Sequence, residues 1–246
     1  MIKVIIMLTK FIIAFTIALL LNSCNIKTDF GNGEKGNGKI TTEVRNIKED
    51  FSSIDVSTGI QVILEQSTDK FVSVEAESNL QKLIDTKVEN GVLIIEPNES
   101  INATETIKVT IRMPKIDGLQ SSSGSAIKGI GTFIGDAISI DTSSAAEVNV
   151  NLKYDNITLD ASSGSSINAK GIALKLESSA SSGSEIEAEE LLVNDVDADV
   201  SSGGNIKIHP IVNLNGTTSS GGNIIYDIEP KSITKDESSG GNIGRK

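Results

Sequence analysis

The chain has 246 residues and a formal charge of −11, from 22 basic and 33 acidic residues, with one cysteine, one histidine and no tryptophan. That balance excludes the basic face that nucleic-acid phosphates require, so no nucleic-acid partner is expected. One cysteine and one histidine also exclude an internal disulfide and any imidazole or thiolate metal cluster, and with six Phe and two Tyr the core must be aliphatic.

Lys3 and Lys10 flank a basic start, and FIIAFTIALLL over 11–21 is too short to span a bilayer comfortably as a permanent helix. Residues 1–23 are therefore expected to be a signal peptide. The run ends in LNSC, which resembles a bacterial lipoprotein lipobox, and Cys24 is expected to become the lipidated mature N-terminus. Removing 1–23 leaves 20 basic against 33 acidic residues, a net −13 that disfavours adsorption to anionic lipid. Membrane contact is thus expected through the acyl groups. Residues 24–43, rich in Gly, Asn and Lys without an apolar period, compose a flexible tether, and one elongated domain is expected over 44–246.

From Phe51 to Met113, within an N-terminal block over 44–115, the period is two. FSSIDVSTGIQVILEQ, KFVSVEAE, TKVENGVLIIE and TIKVTIRM predict an N-terminal block of strands, with a hairpin at Asn90-Gly91. ESNLQKLIDT has helical spacing at Leu80, Leu83 and Ile84 and suits either a turn of helix or a loop with buried leucines.

From 116 to 246 short phrases recur. Serine pairs or their equivalents start at Ser122, Ser143, Ser162, Ser181, Ser201, Ser219 and Ser238, at intervals of 21, 19, 19, 20, 18 and 19. Five positions after each start stands Ile127, Val148, Ile167, Ile186, Ile206, Ile224 or Ile243. Five positions before the last six stands Ile138, Ile157, Leu176, Val196, Leu214 or Ile233. A period near twenty with apolar residues at constant phase is a solenoid. The copies lack the Leu/Asn pattern of leucine-rich repeats and the recurring Asp of calcium-binding nonapeptides. They predict an all-β fold, a parallel β-helix with coils of about 19–20 residues, each SSGGN-like phrase being a corner where Gly accepts positive φ and Ser or Asn bonds the local backbone. Asn205, Asn223 and Asn242 are placed to stack as an amide ladder. Gly244–Lys246 carry two charges where a further coil would dock and are expected to guard that edge, unless a partner completes the coil.

The recurring SSGGNI, with FSSIDVSTGIQVILEQS and FVSVEAESNLQKLIDTKVENGVLIIEPN ahead of it, resembles the head GIN domain family of auto-transporter adhesins, lipoprotein-like envelope proteins with no assigned biochemical activity. The resemblance covers 44–246 and implies a right-handed β-helix and adhesion. No series of membrane-type amphipathic strands follows the repeats, so the auto-transporter part of the name does not carry over.

No catalytic, cofactor-binding or metal-binding set emerges from the residues. His209, the one histidine, lies beside Pro210 as a strand-end or surface residue, and no G-x-S-x-G occurs. Glu189, Glu190, Asp195, Asp197 and Asp199 offer carboxylates for glycoside chemistry or Ca²⁺, against a simpler reading as a solvated acidic face. Phe133, Tyr154 and Tyr226 share no phase, so no aromatic sugar-binding stripe is expected; the sequons at Asn98, Asn102, Asn156 and Asn215 matter only where export glycosylates them. The sequence thus points to a non-enzymatic, lipid-anchored protein of the bacterial envelope, an outer-membrane lipoprotein facing the surface or the periplasm. It would present a rigid face to a glycan or protein ligand. The alternatives are a periplasm-facing assembly or stress-response factor with a protein partner, and a polysaccharide-active enzyme.

Overall fold

The computed structural model describes residues 33–246; the expected signal peptide, Cys24 and the first part of the tether lie outside the described residues. In chain order the strands are β1 (Glu34–Lys35), β2 (Ile40–Val44), β3 (Ser53–Val56), β4 (Gln61–Gln66), β5 (Phe71–Glu77), β6 (Ile84–Glu89), β7 (Val92–Pro97), β8 (Ile101–Asn102) and β9 (Lys108–Met113). There follow β10 (Gly118–Ser121), β11 (Ala126–Thr142), β12 (Glu147–Ala161), β13 (Ser166–Ala180), β14 (Glu185–Val200), β15 (Asn205–Thr218), β16 (Asn223–Tyr226), β17 (Ser232–Glu237) and β18 (Asn242–Arg245).

From β10 onward each coil pairs in parallel register with the next, so the expected β-solenoid is the observed fold, with about seven turns. Side chains alternate across a strand, and β14 shows how one coil closes. Its buried residues are Ile186 and Ala188, then Leu191 and Val193, then Val196, Ala198 and Val200. The spacing is two within each group and three between groups, which turns the chain twice and gives a three-sided coil. Both expected apolar columns face inward, Ile127 through Ile243 in one and Ile138 through Leu214 in the other, with Ile233 partly buried.

The third corner of each coil is the repeated phrase. Ser202 and Gly203 have φ of 50° and 72°, and the Gly204 N–H donates to Ser201 O at 2.9 Å, a type I′ turn. The corners also bond one another: the Gly203 N–H donates to Ser220 O at 3.2 Å, the Gly183 N–H to Ser202 O at 3.2 Å, and the Gly124 N–H to Ser144 O at 3.0 Å. The fourth residue is buried in every repeated corner but the last, where Gly241 is half-buried. Where it is serine, its hydroxyl spans coils, as Ser184 does by donating to Ala161 O at 2.7 Å and accepting the Ser181 N–H at 3.0 Å. Where it is Gly204, a Cβ would stand 2.6 Å from Ala180 O, so the backbone approaches too closely for any side chain.

The N-terminal strands do not simply precede the coils. Thr58 and Gly59, with φ of 61° and 69°, make an eighth stacked corner, whose Gly59 N–H donates to Ser123 O at 3.0 Å. β3 and β4 thereby form a coil beneath β10 and β11. β7 and β9, later in sequence, stack on the other side of that coil, so the rung order departs from chain order. The outermost rung is then covered by antiparallel strands, β6 on β7, β5 on β9 and β2 on β5. An uncovered rung would expose a row of unpaired backbone groups, which explains why the parallel pattern ends in antiparallel strands here. The Asn90-Gly91 hairpin joins β6 to β7 as expected, with φ of 52° and 79°. ESNLQKLIDT forms one 3-10 turn, Gln81–Leu83, with Leu80, Leu83 and Ile84 buried.

Of the residues read as tether, Gly33–Glu43 is built into the folded unit. The buried Glu77 carboxylate accepts the Gly38 N–H at 2.6 Å, the Thr104 N–H at 2.9 Å and the Thr104 hydroxyl at 2.7 Å. Asn79 Nδ2 donates to Glu34 Oε1 at 3.1 Å and to Lys35 O at 2.8 Å. A side chain at Gly36 would overlap the Glu77 carboxylate. Glycine here permits close packing rather than flexibility, and composition alone does not separate the two uses.

Candidate functional site: an acid and hydroxyl groove beside the corners

Outward positions of stacked coils form columns just as inward ones do. Two residues before each corner, the register aligns Asp55, Gln120, Asp141, Asp160, Ser179, Asp199, Thr217 and Asp236. Together with Ser122, Ser143, Ser162 and Ser181 of the corners, the first five of these line a groove of about 430 Å³. Neighbouring carboxylates such as Asp141 and Asp160 sit on strands about 4.8 Å apart. Among the described residues, no basic side chain forms an ion pair with Asp55, Asp141 or Asp160. Burial, then the charges of Asp141 and Glu177, pushes the Asp160 carboxyl above the usual carboxylate range. Burial, then Glu96, does the same to Asp55. The groove is thus a preformed row of hydrogen-bond acceptors interleaved with hydroxyls.

The carboxylates of 188–199 do not converge. Glu189 and Glu190 lie at the first bend of the β14 coil, where they meet Lys246 at 3.2 Å and Lys170 at 2.7 Å. Asp195, Asp197 and Asp199 occupy alternate outward positions on the third face. Asp195 accepts from Asn213 Nδ2, Asp197 accepts from Asn215 Nδ2 at 3.1 Å, and only Asp199 belongs to the groove column. Among the described residues no group of three or more His, Cys, Asp or Glu is placed to hold a metal ion. His209 is a half-buried partner of Asp227, with Nδ1 and Oδ2 2.8 Å apart.

The amide ladder forms as expected: Asn242 Nδ2 donates to Asn223 Oδ1 at 2.8 Å, Asn223 Nδ2 to Asn205 Oδ1 at 3.0 Å, and Asn205 Nδ2 to Glu185 Oε1 at 3.2 Å. Phe133, Tyr154 and Tyr226 are core residues. The Tyr154 hydroxyl donates to Ile116 O at 2.8 Å, and burial raises its pKa to about 12. Sequence reasoning missed the groove, although its signal was present, because Asp recurs two positions before the corner in five of the eight copies.

A parallel solenoid with laddered corners and an in-register polar groove defines a structural class, the β-solenoid repeat protein. The chain belongs to the family described as "Putative auto-transporter adhesin, head GIN domain", which matches residues 50–230. Solved structures share the fold. A "putative adhesin" from Bacteroides fragilis NCTC 9343 aligns with a TM-score of 0.82 at 19% identity, over 87% of this chain and 100% of that one. A second "putative adhesin", from Parabacteroides merdae ATCC 43184, gives 0.72 at 21%, over 88% and 100%. A "putative lipid binding protein" from Parabacteroides distasonis ATCC 8503 gives 0.71 at 21%, over 86% and 98%. No curated protein matches the chain. Among the described residues no helix is long and apolar enough to cross a membrane.

Proposed function

We propose that this chain is a non-enzymatic, lipid-anchored protein of the bacterial cell envelope that binds an extended polyhydroxyl ligand along the groove. Cys24 is the anchor in this reading, and the residues between it and Gly33 set its reach. The observation that carries the proposal is the in-register row Asp55, Gln120, Asp141 and Asp160, flanked by corner serines and, among the described residues, without ion-pair partners. Glycan hydroxyls donate to such carboxylates and accept from such serines, and a stiff solenoid loses little entropy on binding.

A glycan array probed with the wild-type chain and with Asp141→Asn/Asp160→Asn tests it. Saturable binding to a glycan class, lost in the variant, is expected; equal signals from both proteins would sink the groove as the site. Shortening of a bound glycan would overturn the non-enzymatic part. Protease shaving of intact cells, with lysed cells as control, then tests orientation, since cleavage of the solenoid on intact cells is what adhesion requires.

A second reading, a periplasm-facing factor with a protein partner, is favoured by one feature. Ile172, Leu174 and Leu192 lie 48%, 54% and 43% exposed on adjacent coils, on another side of the solenoid from the groove. Protection from protease until lysis would move the assignment to it.

A further inference from the structure

The two sides of the stack end differently. One is covered by antiparallel strands, whereas on the other β17 and β18 each have a single strand partner among the described residues. In a parallel ladder alternate residues point their backbone groups to opposite sides. The Asn242 N–H donates to Gly222 O at 3.0 Å and the Lys246 N–H to Tyr226 O at 2.9 Å, so the N–H and C=O of Ile243 face outward, where another strand would pair.

Both groups are already taken by side chains. The Ile243 N–H donates to Glu237 Oε1 at 2.5 Å, and Lys235 Nζ donates to Ile243 O at 2.9 Å. These two charges stand in columns that point into the solenoid in earlier coils. Lys235 is in register with Gly216, and through it with Ala198; Glu237 is in register with Thr218 and Val200. Lys235 also donates to the Tyr226 hydroxyl at 3.1 Å and lies 5.0 Å over its ring, which fixes the ammonium across the mouth of the core.

We propose that Lys235 and Glu237 form an edge plug that stops a second copy of this chain from adding its own β18 edge to this one. The guard expected at Gly244–Lys246 is thus moved, since Gly244 and Arg245 lie within β18 and Lys246 reaches Glu189. Because the opposite side is covered by β2, β5 and β6, the species held off is a closed two-fold dimer through β18, not a filament.

Sedimentation of the full chain in detergent tests this. Lys235→Met/Glu237→Val is expected to dimerise at least about tenfold more tightly than wild type, because it frees two backbone groups and leaves an apolar edge. The charge-exchanged Lys235→Glu/Glu237→Lys frees the same two backbone groups but keeps charge at the edge, and is expected to associate less than the apolar variant. A double apolar variant as monomeric as wild type would overturn the plug, and so would equal association of both variants. Amide exchange on the wild-type chain gives an independent check that needs no substitution. The Ile243 amide should exchange slowly, while that of Arg245, which faces the same way without such a partner among the described residues, should exchange fast; equal rates would overturn the plug.

Discussion

At the corner containing Ala145, alanine holds a left-handed position, φ 60°, that glycine holds in the other seven corners. The left-handed region costs an L-residue about 1–2 kcal/mol, and glycine returns about half of that through unfolded-chain entropy. Ala145→Gly is therefore expected to stabilise the fold by up to about 1 kcal/mol, read as a higher denaturation midpoint with an unchanged denaturant slope. Gly204→Ala should do the reverse, losing about 1–3 kcal/mol, because its Cβ would press on the Ala180 carbonyl. The sequence shows both kinds of glycine as the same letter in SSGG. The bend was legible because positive φ has few residue solutions. The close approach of coils at the fourth position was not, because it depends on the spacing to Ala180 in the preceding coil.

Asp160 belongs to a column, and its charge matters at the scale of stacked strands. Its folded pKa is raised, so ionisation opposes folding above that value and the opposition fades as pH falls through it. Asp160→Asn should therefore raise the melting temperature at neutral pH, with the difference shrinking toward acid pH; the gain is small because the carboxylate is only partly buried. If the groove binds, the same variant loses ligand while it gains stability, the sign expected where function holds charges together against their repulsion. The inward columns were legible because β-branched residues repeat at constant phase. The groove column was equally periodic but mixes Asp with Gln, Ser and Thr, and polar residues at constant phase resemble an ordinary solvated face until the register is known. The corner at Thr58-Gly59 escaped notice for a related reason. It lacks the second serine, and its coil sits inside a run that otherwise shows only strand alternation.

For the folded unit as a whole, the least predictable feature is its covered side, because no local signal says that Val92–Met113 will stack outside Ser53–Gln66. Glu77 ties that cover together, and its hydrogen bonds, that from the Thr104 hydroxyl first, hold its carboxyl below the usual range. It therefore contributes stability above the ordinary carboxylate value, and that contribution is lost as pH falls through the folded value. The Gly38 amide, corrected for its intrinsic exchange rate, should lose protection in acid before the coils melt, and Glu77→Gln should open Lys39 to trypsin at neutral pH; cleavage unaffected by the substitution would show the clasp to be dispensable. The displaced rung also bears on how the chain is made. Winding from the N-terminus cannot proceed coil by coil, since Ser53–Gln66 acquires one neighbour only when β7 and β9 arrive and the other only when β10 and β11 follow. Until Met113 has left the ribosome, that segment has no finished seat, and later coils have nothing to template on. Synthesis order and assembly order are thereby uncoupled, leaving an interval in which a holding chaperone has a half-paired sheet to protect.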